Sequence, residues 1–159
     1  MTVDNMLFIA ITLVGLSTGV FFAWSCSVLP GLKLLAAQEY ILAFQAMNRA
    51  IQNPVFLLCF LGAGIALPVA AWMHRGNSLQ GGLLLAASVV YIVGVLGVTM
   101  AGNVPMNEAL DKFDTSAATV AEMARQRELF EGPWMALHNW RSVAAVVSFM
   151  LSVLAGLIR

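Results

Sequence analysis

Charged side chains are scarce in this chain of 159 residues. Lysine and arginine together number eight, as do aspartate and glutamate, and the charged fraction is 10%, whereas soluble domains carry roughly 25%. The net charge is zero and no basic run occurs, which argues against a nucleic-acid partner. Hydrophobic residues make up 60% of the chain and the mean hydropathy is +0.86, so we expect an integral membrane protein in contact with the lipid bilayer.

Residues that hold cofactors are also rare. Cys26 and Cys59 lie within apolar segments and are interpreted as small buried side chains. The closely spaced cysteine pairs of thiol oxidoreductases are absent. The two histidines, His74 and His138, are expected at opposite membrane faces, about 30 Å apart, which is too far to bind one haem iron or one metal ion.

Carboxylates are missing from the apolar segments. This excludes the glutamate pattern of di-iron helical bundles and argues against a proton-coupled transporter, whose relay usually contains an intramembrane carboxylate. We predict that the protein uses no metal and no cofactor. The alternative that stays open is a metal site made by His138 with Glu108 or Glu131.

Four apolar segments are long enough to cross a membrane, which takes about 20 helical residues. They cover about 6–29, 54–73, 83–102 and 135–158. We predict an all-α, integral membrane four-helix bundle that forms one domain over residues 1–159, with no internal repeat. Leu29-Pro30-Gly31 is interpreted as the end of the first helix and Pro105 as the end of the third, because proline disrupts a continuing helix.

Four crossings place both termini and the turn at 74–80 at one membrane face, here called side A. The connections 30–53 and 103–134 lie at the opposite face, side B, and we predict that they form helical caps on the bundle. Helical spacing predicts an amphipathic helix in the first connection, from Ala37 to Ile51. Arg75 and Arg159 lie in the shortest segments, so we predict that side A, with both termini, is cytoplasmic. We also predict that the membrane is a bacterial inner membrane.

Three polar motifs interrupt the apolar sequence at side B. They are NRAIQNP at 48–54, NVPMN at 103–107 and WMALHNWR at 134–141. Asn53-Pro54 is also typical of a helix N-cap followed by proline, which is the structural interpretation of that asparagine.

Spacings of four and three residues place the polar side chains of the fourth segment on one helix face. An arginine within a span is costly unless it faces the interior, a partner or a cavity, so Arg141 indicates a site there. We predict that one side-B cavity is lined by Asn48, Asn53, Asn103, Asn107, His138 and Arg141.

The motifs also resemble a known family. GLSTGVFFAWSCSVLPGL at 15–32, NRAIQNPVF at 48–56, TMAGNVPMNEAL at 99–110 and WMALHNWR at 134–141 are similar to the anthrone oxygenase-like family of small four-span membrane proteins. The resemblance implies oxygenation of an activated aromatic methylene to a ketone without an added cofactor. The family pattern falls on Asn48, Pro54, Asn103, Pro105, Asn107, Trp134, His138 and Arg141.

This resemblance suggests roles for the side chains. His138 would be the general base, and Arg141 with Asn103 or Asn107 would stabilise the resulting oxyanion. Trp24 and Trp134 would sandwich a flat lipophilic substrate, with Asn48 and Asn53 as further binding residues. The alternative is a non-enzymatic membrane subunit or lipophile-binding protein, in a homo-oligomer or a larger membrane complex, whose polar motifs are structural.

Overall fold

A computed structural model describes residues 2–158, and the elements in that range are helices. Met1 and Arg159 lie outside the described residues, so the placement of Arg159 at side A stays a prediction, as do the cytoplasmic orientation and the bacterial membrane. We number five continuous helices, of which all but α2 are long and apolar enough to cross a membrane. They are α1 (Val3–Lys33), α2 (Ala37–Ile51), α3 (Pro54–Met73), α4 (Ser78–Asp111) and α5 (Val120–Leu157).

The four spans form an antiparallel bundle in which α1 and α4 each pack against α3 and α5. Helices in lipid associate through close packing and interhelical hydrogen bonds, because hydrocarbon provides no hydrophobic driving force. Both contributions are present. Alanines such as Ala63 and Ala87 are fully buried, and Thr18 donates to the carbonyl of Ala145 at 3.2 Å. The predicted all-α four-span bundle is confirmed.

The predicted ends of the first and third spans are wrong. Helix α1 continues through Pro30 to Lys33, and α4 continues through Pro105 to Asp111. In each helix a π turn ends two residues before the proline, at Trp24–Val28 and Thr99–Asn103, and α4 has a further π-helical segment at Val90–Gly97. The N–H of Leu29 donates to the carbonyl of Trp24, five residues back, so the helix is already widened where the proline ring needs space.

The two halves of the chain share an order of features that is visible in the structure. A π turn precedes Pro30 in the first half and Pro105 in the second. A helical cap segment follows, and a proline stands where the return span begins, Pro54 in one half and Pro133 in the other. The difference is that α2 is separate, whereas the second cap is continuous with α5 and runs through Pro133.

Helical caps cover side B, as predicted. Helix α5 has 38 residues, about 57 Å at 1.5 Å each, so it extends well past a 30 Å hydrocarbon core. Its first turns and the end of α4 pack with α2 around the buried Phe44. Gln45 donates to the carbonyls of Leu110 and Phe113 at 2.8 and 3.0 Å, and Arg49 pairs with Asp111 at 2.8 Å.

Candidate functional site

A cavity of about 360 Å³ lies beneath the α2 cap, in the side-B half of the bundle. All five helices contribute to its walls, which are mainly aromatic and aliphatic. Aromatic walls come from Phe21, Trp24, Phe44, Phe56, Phe60 and Trp134, and polar groups from Asn48, Gln52, Thr99, Asn107, Glu108 and Arg141. This composition, apolar with a few converging polar groups, is typical of a small-molecule site.

The cavity reaches the outer surface of the bundle between α3 and α4. Three of its lining residues are also surface residues within the spans: Leu57, Leu61 and Met100 are 39%, 46% and 59% exposed. Helices α3 and α4 pack mainly through their side-A halves. Because span surfaces face hydrocarbon chains in a membrane, we expect this opening to face the membrane interior, whereas the exposed Gln52 and Glu108 line the cavity toward side B.

A chain of hydrogen bonds joins three helices along one wall. The indole N–H of Trp134 on α5 donates to Asn107 Oδ1 at 2.7 Å, and Asn107 Nδ2 donates to Asn48 Oδ1 at 2.9 Å. Since an indole nitrogen can only donate, it fixes the orientation of both amides. The Nδ2 group of Asn48 then has no acceptor among residues 2–158, so it is a free donor on the cavity wall.

Arg141 is the cation of the cavity. Its side chain lies between the rings of Phe21 and Trp134, with Cζ 4.9 and 5.1 Å from their centroids, and the residue is only 8% exposed. Nη1 donates to Thr99 Oγ1 at 3.3 Å, and Nε has no partner. The ion pairs in the described part of the chain, Arg49–Asp111 and Arg127–Glu131, do not include it. Nη2 donates to His138 Nδ1 and Nε is inaccessible, so of the five N–H groups of the guanidinium one on each Nη remains for a ligand.

His138 lies behind this wall and does not line the cavity, so its predicted place there is wrong. Its ring is fully buried and stacks on Trp134, with 5.1 Å between centroids. Nδ1 accepts from Arg141 Nη2 at 3.3 Å. Nε2 contacts the hydroxyls of Ser25 at 2.9 Å and Ser142 at 3.3 Å.

These contacts assign the tautomer of His138. A guanidinium can only donate, so Nδ1 is the acceptor. The hydroxyls of Ser25 and Ser142 donate to the carbonyls of Phe21 and His138, which leaves their oxygens to accept from Nε2–H. The ring is therefore neutral with its proton on Nε2, and its lone pair is directed at Arg141. The His138 ring therefore presents no base to the cavity.

Two asparagines predicted to line the cavity do not. Asn53 is exposed and caps α3, accepting from the Phe56 N–H at 3.0 Å, as the structural interpretation holds. Asn103 is fully buried at the end of a π turn and donates to the Trp134 carbonyl at 3.3 Å, while its Oδ1 has no partner. Both predicted cavity positions are wrong, because backbone groups engage these amides: adjacent ones for Asn53, and a carbonyl of α5 for Asn103.

The predicted tryptophan sandwich does not form. Trp24 and Trp134 both line the cavity, but their centroids are 5.8 Å apart with a 39° angle between planes. A flat ring between them would need about 7 Å, twice a carbon–carbon contact of roughly 3.5 Å. The two indoles therefore contact each other and present their remaining surface to the cavity.

Sequence reasoning missed Thr99 as a cavity residue and considered Glu108 only as a metal ligand. The signal for Glu108 was the helical spacing of Met100, Val104, Asn107 and Glu108, which form one face of α4. In residues 2–158 no three or more His, Cys, Asp or Glu side chains come together as a metal site, and Glu131 pairs with Arg127 at 2.8 Å. The prediction of a metal-free protein stays a prediction.

A family model described as anthrone oxygenase matches residues 41–151, more than half of the chain. The chain belongs to the anthrone oxygenase family. The matched region runs from α2 into α5, so it contains the Asn48–Asn107–Trp134 chain and Arg141, whereas Trp24 lies outside it. No curated protein and no solved structure matches the chain.

Proposed function

We propose that this member of the anthrone oxygenase family takes a flat, lipophilic, phenol-type aromatic from the bilayer and oxidises its activated methylene to a ketone with molecular oxygen. The observation that carries the proposal is Arg141, a buried cation without a carboxylate partner in residues 2–158, in the wall of an aromatic cavity. Burying an unpaired charge is unfavourable, so the site is suited to a ligand that is or becomes anionic.

The chemistry balances without a further reductant. Loss of one proton from the methylene carbon gives a carbanion whose charge is delocalised onto the carbonyl oxygen across the ring. The carbanion gives one electron to oxygen, and the two radicals combine into a carbon–oxygen bond. The resulting hydroperoxide then eliminates water: its O–O bond breaks, the second methylene hydrogen leaves the carbon as a proton, and the ketone remains. Overall, one methylene and one O₂ give one ketone and one water.

The protein's contribution is to stabilise the charge that develops in the first step. The remaining Nη N–H groups of Arg141 can donate to the oxygen that becomes negative, and the Nδ2 group of Asn48 can contact the substrate further toward side B. Donors held in advance in a site that excludes water stabilise an oxyanion far more than water does. Two wall residues, Trp24 and Thr99, open the π turns that come before Pro30 and Pro105, and such turns often occur at functional sites.

Oxygen uptake with anthrone tests the proposal. We expect protein in lipid nanodiscs to consume one O₂ per anthraquinone formed, with ¹⁸O₂ labelling the new ketone oxygen, in the presence of a chelator such as EDTA. Empty nanodiscs measure the uncatalysed oxidation of anthrone. Activity that EDTA removes and one metal ion restores would contradict the metal-free mechanism.

The second candidate is a lipophile-binding protein without turnover. This candidate is favoured because several residues of the polar motifs form hydrogen bonds within the protein. Asn53, Asn103 and Asn107 all bond to backbone or side-chain groups. Saturable quenching of tryptophan fluorescence by anthrone, with oxygen uptake no faster than in empty nanodiscs, would support this candidate instead.

Blocking the opening between α3 and α4 should slow substrate access. We expect Met100→Trp to lower kcat/KM for anthrone roughly tenfold and kcat much less, because a larger side chain at the opening slows binding rather than chemistry. Val93→Trp is the matched control, since Val93 is 66% exposed on the same helix two turns away and does not line the cavity. Equal effects of the two substitutions would show that the substrate enters elsewhere.

A further inference from the structure

The cavity contains one side chain that can take a proton from carbon, and we infer that Glu108 is the general base of the reaction. The inference rests on the proposed function. Among the residues that line the cavity, Glu108 is the carboxylate, and the other polar ones are amides, an alcohol, indoles and a guanidinium. None of those others accepts a proton near neutral pH.

Two acids at side B, Glu108 and Glu128, have no hydrogen bond or ion pair within the described residues, and of these two Glu108 lines the cavity. Asp111 pairs with Arg49, Glu131 pairs with Arg127, and Glu122 bonds to the Thr119 at the N-cap of α5. Glu108 has no hydrogen bond and no ion pair within the described residues. The residue is exposed, so its carboxylate is free to move between solvent and the cavity that it lines.

The position of Glu108 on α4 suits a base that works opposite Arg141. Thr99, which accepts from the Arg141 guanidinium, lies nine residues before Glu108, or roughly 13 Å along the helix. Helical side chains tilt toward the N-terminus of their helix, which for α4 is side A. Because the glutamate side chain is longer than that of Thr99, the same tilt carries its carboxylate further back toward the depth of the guanidinium.

The dimensions of the substrate match that separation. In an anthrone the carbonyl oxygen and the methylene carbon lie at opposite ends of the central ring, about 4 Å apart by standard bond lengths. Adding about 3 Å for a hydrogen bond from Arg141 and about 3 Å from the carbon to a carboxylate oxygen gives roughly 10 Å. One substrate can thus contact the cation with its oxygen and the base with its methylene.

The proton balance is closed by this assignment. The Glu108 carboxylate takes the first methylene proton and becomes a neutral acid, while the electron pair of the C–H bond moves toward the oxygen held by Arg141. The acid can then protonate the peroxide formed after oxygen is captured, which restores the carboxylate. His138, neutral and bonded at both ring nitrogens, takes no part in these transfers.

Hydrogen–deuterium exchange of anthrone isolates the proton step from the oxygen step. Under nitrogen in D₂O, we expect wild-type protein in nanodiscs to accelerate deuterium incorporation at the methylene above the rate in empty nanodiscs. Glu108→Gln should lose roughly 100-fold or more of that acceleration, the lower range for a general base. Its affinity for anthrone, measured by tryptophan quenching, should change less than threefold, since the amide keeps the shape of the side chain.

Glu128→Gln is the matched control, because Glu128 is, like Glu108, an exposed side-B carboxylate without a partner in the described residues, but it does not line the cavity. We expect it to keep the wild-type exchange rate. Full exchange activity in Glu108→Gln overturns the inference, and loss of exchange in His138→Gln alone assigns the base to His138. If the wild type accelerates exchange without oxygen uptake, and Glu108→Gln loses that exchange, Glu108 is supported as a base and the oxygenase proposal is overturned. Wild-type protein that accelerates neither reaction overturns both.

Discussion

Arg141→Met is expected to abolish most of the oxygenase activity and leave the fold intact or more stable. Loss of one oxyanion donor typically lowers kcat by about 10²–10³-fold, and methionine removes every donor of the guanidinium. The guanidinium is almost fully buried and has no carboxylate partner in residues 2–158. Removing an unpaired buried charge is favourable, and this gain offsets the loss of the donor to the buried Nδ1 of His138. The measurements are oxygen uptake with anthrone and the thermal midpoint in detergent.

Arg141→Lys separates charge from geometry. Lysine keeps the positive charge but lacks the planar fork that bonds Thr99 and His138 while presenting further donors. We expect activity between that of Arg141→Met and the wild type. An Arg141→Met variant that unfolds would show that Arg141 is structural. A variant that is stable and fully active would show that the reaction does not need the cation.

The four spans and the side-B caps were predictable because their signals are long and redundant. Twenty apolar residues in a row leave few alternatives to a membrane helix, and Ile41 and Phe44 on one face of α2 are both buried, as their spacing indicated. Helix ends depend on single residues. Pro30 and Pro105 would normally end a helix, and the π turns before them reverse that expectation.

The site was predictable in the same way, by face but not by individual contact. The spacing on α5 correctly placed Trp134, His138 and Arg141 on one buried face. It could not show that His138 packs behind Trp134, or that its lone pair is taken by Arg141, because those facts depend on hydroxyls from other turns and helices. Asparagines were the least predictable, since an amide bonds equally well to a backbone, a side chain or a ligand.

Asn107→Leu is expected to lower both stability and activity, because Asn107 is the centre of the chain that joins α2, α4 and α5. Leucine leaves the indole N–H of Trp134, a residue 2% exposed, without an acceptor and Asn48 Oδ1 without a donor. A stranded buried donor typically costs about 1–3 kcal/mol, or a fall in thermal midpoint on the order of 5 °C. Activity should fall with it, since Asn48 loses the orientation that exposes its Nδ2 group to the cavity.

Two comparisons distinguish this effect from general destabilisation. Asn53→Ala removes a helix cap outside the cavity, so it should cost about 1 kcal/mol of stability and leave kcat unchanged. Trp134→Phe should destabilise the wild type more than it destabilises the Asn107→Leu variant, because the second background has already lost the bond between them. Additive effects of the two substitutions would show that the 2.7 Å bond carries no coupling energy. Asn107 would then act on activity through the cavity wall alone, and the hydrogen-bonded chain would not be what orients Asn48.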